Sequence, residues 1–233
     1  MVRFLVKMLN TLIPKKKNKW VFLSHPDYTD NPRSFYEVIN AKFPDISCTW
    51  IISDPELCKL MKSSGIRAVR KNSVMGFFTF ARSKVVITSH TNLSSIRSKR
   101  QVFVNLWHGI PLKCIGFMDK SENKKIIFKF NDSNAITIST SDTVSSLLSA
   151  CFHVNHEHIY VTGQPRNDKL FSPITTTELL NLVDIKSKDF DHVVFYMPTF
   201  RQGYINRKEG RQFDESNIFG FENFDKNKFS TFL

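Results

Sequence analysis

Residues 83–108, SKVVITSHTNLSSIRSKRQVFVNLWH, contain two short runs rich in β-branched and aromatic side chains, Val85–Ser89 and Gln101–Leu106. Each run has the length and composition of a strand buried in a parallel sheet. A histidine follows each run, His90 after the first and His108 after the second. These strands predict an α/β fold with a parallel sheet. Because open α/β sheets bind ligands at the carboxyl ends of their strands, His90 and His108 are predicted to lie at the ligand-binding edge of that sheet.

The rest of the chain repeats this alternation of strand-like and helix-like segments. Such alternation predicts a doubly wound parallel sheet with helices on both faces. Further strands are predicted at Trp20–Ser24, Ile46–Ile52, Ile66–Arg70, Ala135–Ser139 and Ile159–Thr162. Helices are predicted at Pro32–Lys42, Pro55–Ser63, Ser73–Ala81, Ile126–Phe130 and Thr143–Cys151.

A second domain is predicted to begin near residue 191. His192–Met197 has the pattern of a new strand, and a polar loop and a helical pattern over Phe219–Leu233 follow it. One strand, one loop and one helix are too little to enclose a core. We therefore expect residues 18–190 to form one complete α/β domain and residues 191–233 to form the start of a second.

The N-terminal segment, residues 1–17, pairs an amphipathic helix with a basic cluster. Apolar residues recur at helical spacing over Val2–Ile13, and the cluster that follows is Lys15, Lys16 and Lys17. The first 20 residues carry six basic and no acidic side chains, half of the net charge of +12. This arrangement favours adsorption to a membrane surface that carries anionic lipid. The alternative is a helix packed on the protein's own core beside a solvated lysine loop.

Composition argues against several classes of protein. A hydrophobic content of 41% with 22 phenylalanines can fill a core, and no apolar run reaches the 18 residues of a membrane-spanning helix. The four cysteines are scattered without a CxxC pair, as in reduced cytoplasmic proteins. Nucleic-acid binding is not expected, because the lysines lie beside an apolar helix and no aromatic–basic platform is evident. No cofactor is expected either.

The segment LWHGIPLK, residues 106–113, carries the first candidate site. The predicted strand delivers His108 to its carboxyl end, and Gly109 permits a tight turn or a close approach of substrate. A neutral imidazole there could take a proton from an attacking hydroxyl, and Lys113 could offset phosphate charge. The alternative, and the commoner outcome for a histidine after a strand, is a structural role for His108.

Two further turns carry basic residues after predicted strands. In TGQPRND, Arg166 could bind phosphate or a carboxylate, and Asp168 could pair with Arg166 or cap the next helix. In YMPTFR, the hydroxyl of Thr199 and the guanidinium of Arg201 suit an anionic ligand. A structural role for each turn remains open at this point.

The other histidines give weaker indications. His153, His156 and His158 lie in a connector, and their spacing matches no HExxH helix, so we predict no metal site. For His90, at the end of a predicted strand, a ligand-facing role and a structural role are both open.

Taken together, LWHGIPLK, TGQPRND and YMPTFR resemble, in order and rough spacing, the CDP-glycerol glycerophosphotransferase family of teichoic-acid and capsule primases and polymerases. PKKKNKWVF, DNPRSFYE, SKVVITSH and TSDTVSSLLSACF are also similar, so the resemblance covers essentially the whole chain. It implies a GT-B-like architecture, with a Rossmann-like N-terminal domain on the acceptor side, a second domain for the nucleotide donor, and the active site between them.

The resemblance implies a reaction as well. Members transfer an alditol phosphate from a CDP-alditol, such as CDP-glycerol, to a hydroxyl of a lipid-linked polymer, and release CMP at the cytoplasmic face of the cell membrane. His108 matches the family's essential histidine and is expected to be the general base toward the acceptor hydroxyl. Ile110 departs from the small polar residue usual after His-Gly. Substrate-binding roles are expected for Gly109, Lys113, Arg166, Asp168, Thr199, Arg201 and His90.

The resemblance further implies that most of the donor domain is missing, including a DYSS-like segment and a second functional histidine. We therefore expect that the transfer is not complete in this chain alone. One alternative is a non-catalytic remnant or a module that binds acceptor and membrane. Another is a GT-B glycosyltransferase that uses a nucleotide sugar.

Overall fold

A computed structural model describes residues 2–90, 93–112, 114–120, 135–173, 224–225 and 227–228. The chain divides into two compact units, Met1–Pro173 and Ile174–Leu233, and the first unit contains the whole of the parallel sheet. The helix predicted at Ile126–Phe130 and the strand and helix predicted after residue 191 lie outside the described residues. So do three candidate site residues, Lys113, Thr199 and Arg201.

Seven strands form a single sheet, and all six pairings between them are parallel. The strands are β1 (Lys16–Leu23), β2 (Ser47–Ile52), β3 (Ala68–Arg70), β4 (Ser83–Thr88), β5 (Val102–Asn105), β6 (Ala135–Ser139) and β7 (Ile159–Val161). Their spatial order is β3-β2-β1-β4-β5-β6-β7. The predicted doubly wound parallel sheet is therefore confirmed.

In the part of the chain that the structure describes, five α-helices connect or flank these strands. They are α1 (Val2–Leu12), α2 (Asp30–Lys42), α3 (Pro55–Ser63), α4 (Val74–Arg82) and α5 (Asp142–Phe152). Shorter 3-10 turns lie at Ser94–Ile96, Gly116–Met118, His156–His158 and Pro165–Phe171. None of the helices in the described part of the chain is long and apolar enough to cross a membrane.

Local sequence explains why several helices begin where they do. The side chain of Asp54 accepts hydrogen bonds from the backbone N–H groups of Glu56 and Leu57, and Pro55 occupies the first turn of α3. Ser141 caps α5 in the same way by accepting from the Val144 N–H. These caps satisfy N–H groups that have no partner within the helix.

Hydrophobic clusters lie on both faces of the sheet, as a doubly wound fold requires. Phe22, Trp50 and Ile87 are fully buried on one face. On the other face, Val86 packs in the same cluster as Phe80 of α4. Large side chains alternate across the strands in this way because successive residues of a strand point to opposite faces.

The strand predicted at Trp20–Ser24 begins earlier, within the lysine cluster. Lys16 already pairs with Ser83 of β4, ahead of an irregularity in register before Trp20. The ammonium group of Lys15 is turned inward and donates to the Asn10 carbonyl, to Asn10 Oδ1 at 2.8 Å and to the Ala81 carbonyl at 2.6 Å. Only Lys16 and Lys17 of the three-lysine cluster are exposed.

Helix α1 contacts the protein through a polar residue and exposes its apolar residues. Asn10 is completely buried and donates to the Ile96 carbonyl at 2.8 Å and to Gln101 Oε1 at 2.9 Å. Most of the apolar face is therefore exposed, although Val6 and Ile13 are half-buried, and this differs from the alternative of a helix packed on the protein's own core. The exposed apolar residues of α1 are Phe4, Leu5, Met8, Leu9 and Leu12, of which Leu12 is 73% exposed.

Candidate functional site

Three histidines follow the carboxyl ends of three neighbouring strands. His25 follows β1, His90 follows β4 and His108 follows β5, and these strands are adjacent in the sheet. The strand order changes direction between β1 and β4, which is the topological switch point of the sheet. In open α/β proteins the ligand crevice forms at this point, so the structure brings the histidines to the edge where a ligand is expected.

The three imidazoles form a row that ends on an indole ring. The rings of His25 and His90 meet edge to face with centroids 5.7 Å apart. His90 stacks on His108 at 4.5 Å and an interplanar angle of 19°. Trp107 then stacks on His108 at 4.1 Å. The imidazole of His108 is thus held between two rings, which restricts its rotation.

Buried amides hold the backbone before His108 in place. Asn31, at the start of α2, is fully buried and its Nδ2 donates to the carbonyl groups of Leu106 and Trp107, both at 3.0 Å. The Trp107 N–H donates to Asn105 Oδ1 at 3.0 Å. Trp107 has a φ of 46°, a left-handed conformation that is uncommon for a bulky residue. These hydrogen bonds stabilise the turn that carries His108.

Arg166 joins the second predicted motif, TGQPRND, to the same edge. Its Nη1 donates to Asp30 Oδ1 at 2.6 Å and its Nη2 donates to the His108 carbonyl at 2.9 Å. Its backbone N–H donates to Asn31 Oδ1 at 3.2 Å. The carboxylate partner of Arg166 is therefore Asp30 and not Asp168, the internal pairing considered from the sequence.

The electrostatics of the row keep its two inner imidazoles neutral. Burial lowers the pKa of His90 to about 4, and the neighbouring His108 and His25 add to this, whereas the carboxylate of Asp30 opposes it. Burial also lowers the pKa of His108, opposed by Asp30 and reinforced by the guanidinium of Arg166. Near pH 7 both rings are neutral, and a neutral imidazole can accept a proton.

Ser89 sets the orientation of His90 within the row. Its hydroxyl lies 2.8 Å from Nδ1 of His90, and it is fully buried at the end of β4. The backbone N–H of His90 donates to Thr88 Oγ1 at 3.0 Å. His90 is therefore constrained on both sides, and the ring that contacts His108 has little freedom to rotate.

An apolar groove lies between α2 and the carboxyl ends of the later strands. It has a volume of about 820 Å³. Its apolar lining includes Val38 of α2, Leu106 and Ile138. Asp168 is exposed and lines the same groove. Leu106 lies two residues before His108 in the chain, but none of the three histidines of the row lines the groove.

Gly109 takes a conformation that favours glycine. Its φ is +153°, and a Cβ atom added there would lie 3.8 Å from Nη2 of Arg166. The constraint on this position is therefore conformational, since there is room for a side chain.

The structure brings together His90, His108, Gly109 and Arg166 from the predicted set. His153 lies elsewhere, stacked on Phe117 with centroids 3.6 Å apart. Within the described ranges, no group of three or more histidine, cysteine, aspartate or glutamate side chains could hold a metal ion.

Sequence reasoning missed two charged or titratable members of the site, His25 and Asp30. His25 follows β1 as His108 follows β5, so the rule that selected His108 also applies to it. Asp30 lies at the start of α2, before an asparagine and a proline. Acidic residues are common at helix N-termini, so its presence indicates a helix start and not a functional site. No local signal indicates that its partner is Arg166.

Known proteins with similar sequences act in teichoic acid synthesis. The chain is 27% identical over 220 residues to the teichoic acid glycerol-phosphate transferase of Staphylococcus aureus, covering 89% of this chain and 56% of that protein. It is 25% identical over 223 residues to the teichoic acid poly(glycerol phosphate) polymerase of Bacillus subtilis, covering 89% of this chain and 29% of that protein. The chain thus spans about half the length of one relative and less than a third of the other.

Solved structures with the same fold include the wall teichoic acid polymerase TagF. The chain matches it with a TM-score of 0.63 at 20% identity, over 78% of this chain and 46% of that one. A TagF variant matches with a TM-score of 0.65 at 20% identity, over 78% and 46%. This likeness confirms the α/β fold class expected from the sequence.

The family model described as CDP-Glycerol:Poly(glycerophosphate) glycerophosphotransferase matches residues 5–232. The resemblance inferred from LWHGIPLK, TGQPRND and YMPTFR is confirmed by this match. Since it extends over nearly the whole length, the chain belongs to the CDP-glycerol:poly(glycerophosphate) glycerophosphotransferase family.

Proposed function

We propose that this chain supplies the acceptor-side half of a glycerophosphotransferase, with His108 as its general base. The observation that carries the proposal is the row of three imidazoles at the switch point of the sheet, in which burial lowers the pKa of His90 and of His108. Residues 18–190 would form the acceptor-side domain and residues 191–233 the start of the donor domain. The donor would be CDP-glycerol or a related CDP-alditol, and the acceptor a lipid-linked polyol-phosphate or glycan.

In the proposed reaction, a hydroxyl oxygen of the acceptor attacks the phosphorus that carries the glycerol group. A new P–O bond forms to the acceptor, and the P–O bond to the cytidine monophosphate breaks, so that CMP leaves with the bonding electron pair. His108 takes the proton of the attacking hydroxyl. Its lowered pKa means that the ring is unprotonated and available as a base near neutral pH.

The other members of the row would position His108. His90 stacks on it and is held by Ser89, and Arg166 fixes the backbone carbonyl of His108 while neutralising Asp30. Gly109, Lys113, Asp168, Thr199 and Arg201 remain proposed substrate-binding residues.

The test is release of CMP from CDP-glycerol in the presence of a glycerol-phosphate acceptor, measured with this chain joined to the donor domain of a family relative. His108→Gln should lower turnover by about 100-fold or more, as loss of a general base does. His156→Gln, at an exposed position, is the matched control and should leave turnover unchanged. Release of nucleotide from a UDP-sugar instead of CDP-glycerol would indicate a glycosyltransferase.

If the completed protein binds acceptor without releasing CMP, this chain is a binding module and the catalytic role of His108 is ruled out. Circular dichroism melting of each variant separates loss of function from loss of folding.

The same chain would contact the cytoplasmic face of the membrane through α1. Its apolar residues are exposed while its polar Asn10 is buried, the reverse of a helix packed on a core. Exposed Lys16 and Lys17 follow it in sequence. An apolar helical face beside basic residues binds anionic lipid reversibly.

A further inference from the structure

A second cavity lies at the opposite edge of the sheet from His108. It has a volume of about 440 Å³ and lies where β1, β2 and β3 begin, bounded by one residue of α4. Because all the strands are parallel, their starting ends lie on the edge remote from the histidine row. The polar side chains that line it are those of Lys19, Ser47, Thr49, Lys62, Arg67 and Thr79.

The register of the strands brings four of these side chains together. Lys19 pairs with Ser47, and two residues further along Val21 pairs with Thr49. The Trp50 N–H donates to the Arg67 carbonyl at 2.9 Å, which sets Arg67 beside Thr49 on the next strand. Register partners and residues two apart share a face of a sheet, so Lys19, Ser47 and Thr49 project from one face, and Arg67 lines the cavity from the position just before β3.

The cavity is positively charged and its cations are uncompensated. Its lining contains Lys19, Lys62 and Arg67 but no aspartate or glutamate. None of the three forms an ion pair or a side-chain hydrogen bond with any residue that the structure describes. The hydroxyl groups of Ser47, Thr49 and Thr79 likewise make no hydrogen bond to a described residue. Several cations with hydroxyl donors and no internal partner suit a phosphate group.

The cavity is linked to the exposed helix α1 through β1 and α4. The ammonium group of Lys15 binds the carbonyl of Ala81 at 2.6 Å, and Ala81 lies two residues after Thr79 on α4. Lys15 is also four residues before Lys19, and the exposed Lys16 and Lys17 lie between them. The apolar helix is therefore joined to the cationic cavity by the first residues of β1 and by the Lys15–Ala81 contact, a combination that suits the acyl chain and the headgroup of a lipid.

We propose that this cavity binds the phosphate of an anionic lipid headgroup while α1 inserts its apolar residues beside it. The proposal rests on the membrane contact proposed above for α1. Lys19, which is half-buried, would contact the phosphate from the floor of the cavity, and the exposed Lys62 and Arg67 would contact it from the rim. The cavity is thus a lipid site separate from the histidine row.

The test compares binding of the full chain to vesicles of phosphatidylcholine with and without phosphatidylglycerol. Each basic residue near an anionic surface contributes about fivefold to binding, so Lys19→Gln/Arg67→Gln should weaken binding to the anionic vesicles by about tenfold to thirtyfold. The matched control is Arg70→Gln/Lys120→Gln, which removes one arginine and one lysine at exposed positions that do not line the cavity. It should change binding by less than about threefold. Lys62→Gln provides an independent variant at the rim.

If the two double variants lose vesicle binding equally, the attraction is a diffuse one between the basic protein and the anionic surface, and the headgroup site is ruled out. If glycerol 1-phosphate binds the wild type but not the cavity variant, while vesicle binding is the same for both, the site takes a soluble phosphate and the lipid proposal is wrong. If only a glutamate variant of α1 detaches the chain from vesicles, the membrane contact stands and the cavity proposal falls. If neither variant has an effect, both proposals fail.

Discussion

Arg166 donates a hydrogen bond to Asp30 Oδ1 at 2.6 Å, although 136 residues of sequence separate the two. The second nitrogen of the same guanidinium donates to the His108 carbonyl. One side chain thus ties the start of α2 to the turn after β5, and both lie beside the histidine row. The side chain of Asp30 is only 13% exposed, so its charge depends on Arg166 for compensation.

Replacing Arg166 should therefore destabilise the protein more than breaking an ordinary surface ion pair. In Arg166→Gln the Asp30 carboxylate stays largely buried without its partner, and we expect a loss of about 1–3 kcal/mol in the free energy of unfolding. Lys59→Gln, whose pair with Glu56 is highly exposed, should cost less than about 0.5 kcal/mol. Urea unfolding of the two variants measures the difference, and equal costs would contradict the structural role of Arg166.

The low pKa of His90 predicts sensitivity to acid. As the pH falls from 6.5 toward 4, the unfolded imidazole takes up a proton and the folded one does not, so the folded state loses stability over that window. We expect this group to account for roughly 1–3 kcal/mol of the loss, allowing for screening by solvent. His90→Asn should remove that part of the loss. His108, whose pKa is also lowered, contributes in the same direction.

The check is denaturant unfolding of wild type and variant at pH 7 and pH 4. His156→Asn, at an exposed position, should retain the full acid sensitivity of the wild type. The same acid sensitivity in His90→Asn as in wild type would contradict the burial of a neutral ring.

Asn10 should be essential for the attachment of α1. In Asn10→Ala, the Ile96 carbonyl, Gln101 Oε1 and the Lys15 ammonium each lose a hydrogen-bonding partner in a buried environment. We expect a loss of about 2–4 kcal/mol in stability. Thr11→Ala, in the same helix at an exposed position, removes only a bond to its own turn and should cost under about 0.5 kcal/mol. Thermal unfolding monitored by circular dichroism distinguishes the two.

The exposed apolar residues of α1 should govern membrane binding and not folding. Leu9 and Leu12 are 54% and 73% exposed. Leu9→Glu/Leu12→Glu should therefore leave the melting temperature within a few degrees of the wild type, while co-sedimentation with anionic vesicles falls by about tenfold or more. A large drop in melting temperature would instead mean that these residues pack on the protein.

Several features of the fold follow from local sequence and were predicted with close boundaries. Helix α3 and strand β6 have the predicted limits, because Asp54 and Pro55 mark the helix start and a short β-branched run marks the strand. The start of β1 was predicted four residues late. Lysines at positions 16 and 17 do not have the composition of a buried strand, and their strand conformation comes from pairing with β4.

The sequence by itself determined the alternation of strands and helices and the positions of His90 and His108 after their strands, because periodicity and end signals act over a few residues. Only the tertiary structure decided the rest: His25 beside His90, Arg166 against Asp30, and α1 attached by Asn10 with its apolar residues exposed. Strand order and packing across the sheet set those contacts. These contacts join residues that are far apart in the chain, and no local sequence pattern predicts which of them will meet.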